Sequence, residues 1–208
     1  MSPKISEESK TQKKSYIIDN AMKLFSQKGF VETSMEDIVK ATGMSKGGIY
    51  NYFKSKEEIF LAIAEDRFNK RHSLIESFEK ANTSTEKLKK YIQWVLGGLF
   101  DEDTLLNARF TFEFWSVVSR NPETLVAAKN RYALFHNDLE SILKQGVDDG
   151  EFNSKLDLDS MIYIILSSTD GIGFFNSVMG IPLTEAIIEN HIDMILRKLI
   201  GGNEYDSL

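Results

Sequence analysis

Apolar side chains recur at intervals of three and four residues along almost the whole chain, which is the spacing of amphipathic helices. This pattern predicts an all-α protein of about nine helices. The predicted helices cover about residues 10–28, 34–43, 45–51, 55–78, 85–99, 105–119, 122–146, 157–179 and 184–200. Gly29, Gly43 and the pair Gly201-Gly202 stand where helices are expected to end.

One segment carries a conflicting signal. Residues 109–114 alternate polar and apolar side chains, which is the period of a β-strand. The sequence offers no second convincing strand to pair with this one, and an unpaired strand would leave its backbone groups without hydrogen bonds. We therefore predict a helix here as well.

Another segment, residues 161–181, is apolar enough to raise the question of a membrane span. Asp170 lies in its middle, and a charge at that depth of a bilayer is costly. We therefore expect a buried interface helix and no contact with a membrane.

Charge is distributed unevenly along the 208 residues, whose net charge is −6. Residues 1–56, called the head, contain ten Lys and six Asp or Glu, a balance of +4, and residues 57–208, called the body, have a balance of −10. A basic head on an acidic body suits a polyanion-binding module, although chance clustering on solvated faces gives the same numbers. The absence of cysteine excludes disulfides and thiolate metal sites and fits the cytoplasm, where thiols stay reduced.

Residues 33–58 are the most informative stretch, because they predict two short helices joined by a turn at Gly43. Ser34 and Asp37 have the spacing of a capping box. The outward residues of the second helix and its end are Lys46, Gly47, Gly48, Tyr50, Asn51 and Tyr52. Two adjacent glycines cost about 1 kcal/mol each relative to Ala in a helix, which makes sense where the backbone must approach a groove wall. The stretch therefore indicates a helix-turn-helix that meets DNA.

Each outward residue type has a chemical role at such a surface. Lys46 can reach a base acceptor or a phosphate, and tyrosine hydroxyls can donate to phosphate oxygens. Ser34 and the amides at its helix start form a second candidate phosphate site. Packing is the competing interpretation for the apolar neighbours: Ile49 and Phe53 are expected in the core, and Tyr52 fits either interpretation.

The chain resembles the N-terminal signature of the tetracycline-repressor (TetR/AcrR) family over roughly residues 10–60. The matching residues are Gly29, Phe30, Thr33, Ile38, Gly43, Met44, Ser45, Gly48, Ile49, Tyr50, Tyr52, Phe53, Lys56, Glu57 and Glu58. The resemblance implies base-edge contacts from Lys46, Gly47, Gly48, Asn51 and Tyr52, and phosphate contacts from Thr33, Ser34, Tyr50 and Lys56. It also implies two domains, a DNA-binding domain over 1–56 and a ligand-binding and dimerisation domain over 57–208.

For the body, the resemblance implies a ligand pocket within helices 5–7. The aromatic candidates for its wall are Trp94, Phe110, Phe114, Trp115, Tyr132 and Phe135, although a plain core is the favoured interpretation for any single one of them. Glu113 lies among these aromatics, and a buried carboxylate needs a partner. A cationic ligand would satisfy it, but Arg109 one helical turn earlier is the favoured partner.

The last two helices are apolar on more than one face, which predicts a twofold homodimer because a monomer would leave a large apolar patch exposed. The candidate interface residues are Ile164, Ile165, Phe174, Phe175, Val178, Ile187, Ile195 and Leu196.

We therefore expect a homodimeric repressor that binds a palindromic operator and is released by a small-molecule effector. A ligand-independent DNA-binding regulator or activator is the main alternative. An enzyme is disfavoured, because the three histidines have no metal spacing and no glycine-rich phosphate motif is present. No cofactor or metal is expected. The operator, the effector and the regulated genes cannot be identified from the sequence.

Overall fold

The computed structural model describes residues 7–65, 83–118 and 122–201, and over these ranges it contains helices and no strand. The helices are α1 (Glu7–Lys28), α2 (Met35–Thr42), α3 (Lys46–Tyr50), α4 (described over 56–65), α5 (Ser84–Gly97), α6 (Glu102–Val118), α7 (Pro122–Asp148), α8 (Leu158–Ser177) and α9 (Glu185–Ile200). A short 3₁₀ turn, Gly98–Phe100, joins α5 to α6. The all-α prediction is confirmed, and the predicted continuation of α4 over 66–78 lies outside the described residues.

The starts and ends of the short helices follow from local chemistry. Ser34 Oγ accepts a hydrogen bond from the Asp37 amide at 3.1 Å, and the Ser34 amide donates to the Asp37 carboxylate at 3.0 Å, which completes the predicted capping box. The hydrogen bonds that the Ser34 amide and hydroxyl donate to the Asp37 carboxylate lower its pKa to about 2. Gly43 ends α2 with a left-handed φ of +65°. Ser45 then caps α3 by accepting from the Gly48 amide.

An aromatic core fixes the head onto α6. Phe25 and Phe30 of the head and Phe60 of α4 pack with Phe110 and Phe114, which both come from α6. The rings of Phe60 and Phe114 stack with centroids 3.4 Å apart, and Phe30 meets Phe114 edge-on at 4.8 Å. The rest of this core, called the head core, is Ile17, Ala21, Ile38, Ile49, Phe53, Ile59 and Ile63. The head is therefore seated on the body by buried rings.

The helical prediction for residues 105–119 is confirmed over 105–118, the part that the structure describes, and the packing explains the strand-like alternation there. Phe110 and Phe114 lie one turn apart and enter the head core. Phe112 lies on a different side of α6 and meets Phe174 of α8 edge-on, with ring centroids 5.6 Å apart. Because α6 packs on two sides, it needs apolar residues at both i+4 and i+2 spacing.

A second core lies within the body, between α5, α7, α8 and α9. Its buried members are Leu88, Tyr91, Ile92, Leu96, Leu99, Leu139, Ile142, Leu143, Phe152, Met161, Ile162, Ile165, Ile188, Ile192, Ile195, Leu196 and Leu199. Three residues predicted at a dimer interface, Ile165, Ile195 and Leu196, belong to this core and are at most 7% exposed. That prediction is corrected for these three, because the helix face they occupy is already covered within the protomer.

Among the residues that the structure describes, no helix is both long and apolar enough to cross a bilayer.

The packing of α7 generates a stability prediction. A methyl group added at Gly146 would lie 2.2 Å from the ring of the buried Phe152, so Gly146→Ala should destabilise the fold by about 1–3 kcal/mol. At Gly97, the last residue of α5, the same methyl group meets open space, so Gly97→Ala should be neutral or stabilising by up to about 1 kcal/mol. Urea unfolding followed by circular dichroism measures both. Equal midpoints for the two variants would contradict this packing.

Candidate DNA interface and body cavity

The surface of α3 combines an anchored inner side with an open outer side. Ile49 is fully buried and Phe53 is 3% exposed, so they fix the short helix to the head core. On the outer side, Lys46, Gly47 and Asn51 are exposed, and Gly48 is half-buried. Lys46 makes a 3.4 Å ion pair with Glu36, and 64% of its side-chain surface remains exposed. Such a surface pair is weak, so the ammonium is available to another partner.

Most of the predicted DNA-contacting residues meet on this surface. Tyr50, the last residue of α3, and Tyr52, which follows the helix, are half-buried, so the DNA contact of Tyr52 stays a prediction. Ser34 is exposed at the start of α2, where its hydroxyl donates to Asp37 at 2.8 Å. A phosphate at Ser34 would have to replace that carboxylate as the hydrogen-bond acceptor.

Two predicted phosphate contacts are corrected by the structure. Thr33 is 1% exposed and donates its hydroxyl to the Gly29 carbonyl at 2.7 Å, so the hydroxyl does not reach the surface. Lys56 donates from Nζ to the carbonyls of Phe30, Val31 and Thr33, each at 2.8 Å. An ammonium has three protons, and all three are used within the head.

Glu113 binds the amides of the turn between α1 and α2, the same turn whose carbonyls bind Lys56. Its Oε2 accepts from the Phe30 amide at 2.9 Å, and its Oε1 accepts from the Val31 amide at 2.8 Å. The carboxylate of α6 therefore binds the backbone between α1 and α2, more than eighty residues earlier in the chain. The predicted partners, Arg109 or a cationic ligand, are both wrong, because the head's own amide groups satisfy this carboxylate.

Sequence reasoning missed this contact because its partners are backbone amides, which have no signature in the side-chain pattern. One signal in the sequence pointed to a close approach here, the glycine at position 29. Gly29 adopts φ +87°, and a methyl group there would lie 2.8 Å from Glu113 Oε2. The predicted helix end at Gly29 is thus also the point where the α6 carboxylate approaches closely.

The body contains a cavity of about 570 Å³ bounded by α4 through α8. Four predicted pocket residues, Trp94, Trp115, Tyr132 and Phe135, line it. Phe110, Phe114 and Glu113 do not, because the first two are buried in the head core and the third binds the head. The remaining lining residues are Phe60, Ile63, Ala64, Tyr91, Val95, Gly98, Thr104, Thr111, Arg131, Ile165, Leu166, Thr169 and Asp170.

The charged residues of this cavity were not predicted as site residues. Arg131 of α7 and Asp170 of α8 face each other across the wall, with Nη2 and Oδ1 3.9 Å apart. Desolvation by burial raises the pKa of Asp170, and Arg131 opposes the shift. The available signal was the isolated aspartate within the apolar run of α8.

A separate crevice of about 440 Å³ lies on the other side of α6, against the end of α1 and α8. Its wall includes Arg109, Glu113, Lys28 and Phe112. The helix α6 therefore contributes side chains to both spaces.

Exposed apolar side chains cover the outer faces of α8 and α9. Five residues predicted at a dimer interface are among them: Ile164, Phe174, Phe175, Val178 and Ile187, each between 39% and 55% exposed. Tyr163, Met179 and Met194 extend the same group. Large apolar patches of this kind mark interaction surfaces in proteins that function in water.

Comparison with known proteins agrees with this architecture. Residues 17–63 match the model of bacterial regulatory proteins of the tetR family, and residues 87–186 match a tetracyclin repressor-like C-terminal domain. The chain is 33% identical to the uncharacterised HTH-type transcriptional regulator YfiR of Bacillus subtilis over 83% of both chains. It is 27% identical to the HTH-type transcriptional repressor ComR of Escherichia coli over 68% of both.

A solved structure shows the same fold over nearly the whole chain. The transcriptional regulator FadR of B. subtilis, determined in complex with stearoyl-CoA, superposes with a TM-score of 0.71 at 22% identity, covering 89% of this chain and 98% of that one. The two matching family models and the similarity to YfiR establish the family. The chain belongs to the TetR family of bacterial transcriptional regulators.

Proposed function

We propose that this protein is a homodimeric transcriptional repressor that binds a palindromic operator in the cytoplasm and is released by a small molecule in the body cavity. The observation that carries the proposal is the outer side of α3. Lys46, Gly47 and Asn51 are exposed there, while Ile49 locks the helix onto the head core. The two glycines let the backbone approach a groove wall, and Lys46 and Asn51 have the donors that base edges and phosphates accept.

A dimer provides the second recognition helix. The apolar faces of α8 and α9 are exposed in the protomer, and a twofold contact would bury the same surface on both copies. Two heads related by a twofold axis match an inverted repeat, with half-sites about one helical turn of DNA or a small multiple apart. The repressor ComR is a relative over 68% of both chains, which supports the repressing direction.

The cavity supports control by a ligand. Its volume lies within the range of about 300–1,000 Å³ typical of small-molecule sites, and its wall is mostly apolar with a few polar groups. The FadR structure with stearoyl-CoA is a case of a protein of this fold that binds a small molecule.

The helix α6 offers a route from the cavity to the head. Thr111 and Trp115 line the cavity, and Glu113 between them holds the Phe30 and Val31 amides. A ligand that fits only one position of α6 would therefore favour one position of the head. Release follows if the effector binds better to the state that does not fit the operator.

The first prediction concerns α3. Lys46→Ala should weaken operator binding by about 1–3 kcal/mol and lower the salt dependence by about one ion, because one cationic contact is lost. Gel-shift titrations at several salt concentrations measure this. Lys155→Ala removes the same charge from an exposed position between α7 and α8 and serves as the matched control. Equal binding by wild type and Lys46→Ala would remove Lys46 from the interface.

The second prediction concerns the dimer. Phe175→Asp places a charge on the exposed face of α8 and should weaken dimerisation by at least about 2 kcal/mol, because each copy would bury an unpaired carboxylate. Sedimentation equilibrium gives the dissociation constant. Phe100→Asp, at a residue that is equally exposed outside α8 and α9, should leave it unchanged. A dimer unaffected by Phe175→Asp would place the interface elsewhere.

The third prediction concerns the Glu113 contact. Glu113→Gln turns one acceptor into a donor that faces a backbone amide, and a charge-assisted bond of this kind contributes about 1.5–3 kcal/mol. Hydrogen exchange at the Phe30 and Val31 amides should become at least about tenfold faster, with weaker operator binding. Glu102→Gln, at the exposed start of α6, is the control. Unchanged exchange at both amides would contradict the contact.

A further inference from the structure

Some polar groups on the cavity wall have hydrogen-bond partners within the protein, and others do not. Three threonine hydroxyls on the wall are held by protein partners. Thr111 donates to the Asn107 carbonyl at 2.6 Å, Thr104 donates to Asp101 at 2.9 Å, and Thr169 pairs with His191 at 3.1 Å. These hydroxyls therefore contribute little to the recognition of a bound molecule.

Arg131 and Trp115, which both line the cavity, have donors without a hydrogen-bond acceptor among the described residues. The guanidinium of Arg131 lies over the rings of Phe135 and Trp115, 4.8 and 5.9 Å from their centroids. Its distance of 3.9 Å from the Asp170 carboxylate is longer than a hydrogen bond. Trp115 Nε1 is buried and has no acceptor among the described residues. Donors therefore exceed acceptors around these two side chains.

We infer that the cavity takes an apolar molecule carrying one carboxylate, which pairs with the Arg131 guanidinium and accepts the Trp115 indole N–H. The inference rests on the proposed effector role of the cavity and specifies the chemistry of its occupant. A carboxylate has two oxygens with about four acceptor positions, which suits a guanidinium and an indole donor together. The apolar remainder packs against the surrounding aromatic and aliphatic wall.

A cationic occupant fits this wall less well. It would compete with Arg131 for the faces of Trp115 and Phe135, where a cation already lies. Among the described residues that line the cavity, Asp170 is the only acidic one, and Arg131 already lies 3.9 Å from its carboxylate.

The test uses matched probes that differ only in their polar group. Decanoate, decylamine and decanol form a linear set, and 4-phenylbutanoate with its amine and alcohol forms an aromatic set. The two tryptophans of the chain, Trp94 and Trp115, both line the cavity, so intrinsic fluorescence reports binding to the free protein without DNA. In at least one set, the carboxylate should bind about tenfold or more tightly than the amine and the alcohol.

Variants of Arg131 and Trp115 test whether these two side chains cause the preference for a carboxylate. Arg131→Gln should reduce carboxylate affinity about tenfold or more while alcohol affinity stays within about twofold, which also shows that the variant folds. Trp115→Phe, followed by calorimetry, should reduce it by a smaller factor. Arg109→Gln removes an arginine from the opposite side of α6 and should change nothing.

Two results would overturn the inference: no carboxylate that binds more tightly than its matched amine and alcohol, or a carboxylate preference that survives Arg131→Gln. Operator release is measured separately, by adding the same probes to the protein–DNA complex. A carboxylate that binds in the cavity but leaves the operator complex intact supports the inferred ligand chemistry and contradicts the effector role.

Discussion

Two hydrogen bonds that the amides of Phe30 and Val31 donate to the Glu113 carboxylate hold the head on the body. Lys56 donates to the carbonyls of Phe30 and Val31. One acidic and one basic side chain therefore bind both the amides and the carbonyls of this turn. The stacked rings of Phe60 and Phe114 are buried, and Phe30 meets the Phe114 ring edge-on. The direction of α3 depends on this arrangement, because α3 has only five residues and is too short to be stable without its support.

The same arrangement makes α6 the structural link between the two proposed activities. One side of α6 carries Phe110, Phe114 and Glu113 into the head, and another carries Thr111 and Trp115 into the body cavity. A rigid helix cannot move on one side alone, so a change in the cavity reaches the turn between α1 and α2. Regulation of operator affinity then requires no contact between ligand and DNA, only different affinities for two positions of one helix.

The sequence predicted well what short-range chemistry determines. The Ser34–Asp37 capping box and the helix end at Gly43 follow from residues within about one turn of each other. The helical state of residues 105–118 was instead predicted because the sequence has no second strand to pair with them. It predicted poorly which element each apolar face meets. Helical spacing marked Phe114 and Ile165 as apolar positions, but not that one enters the head core and the other the body core. Glu113 and Lys56 were misassigned because their partners are backbone groups brought close only by the tertiary fold.

Selection of bound sequences from random DNA is the most direct test of the central claim. That claim is that the two α3 helices of a twofold dimer bind one operator together. The account predicts that the enriched sequences share an inverted repeat whose half-sites are related by the same twofold symmetry. Their centres should lie about one helical turn or a small multiple apart. Enrichment of single or directly repeated sites, or no enrichment at all, would contradict it.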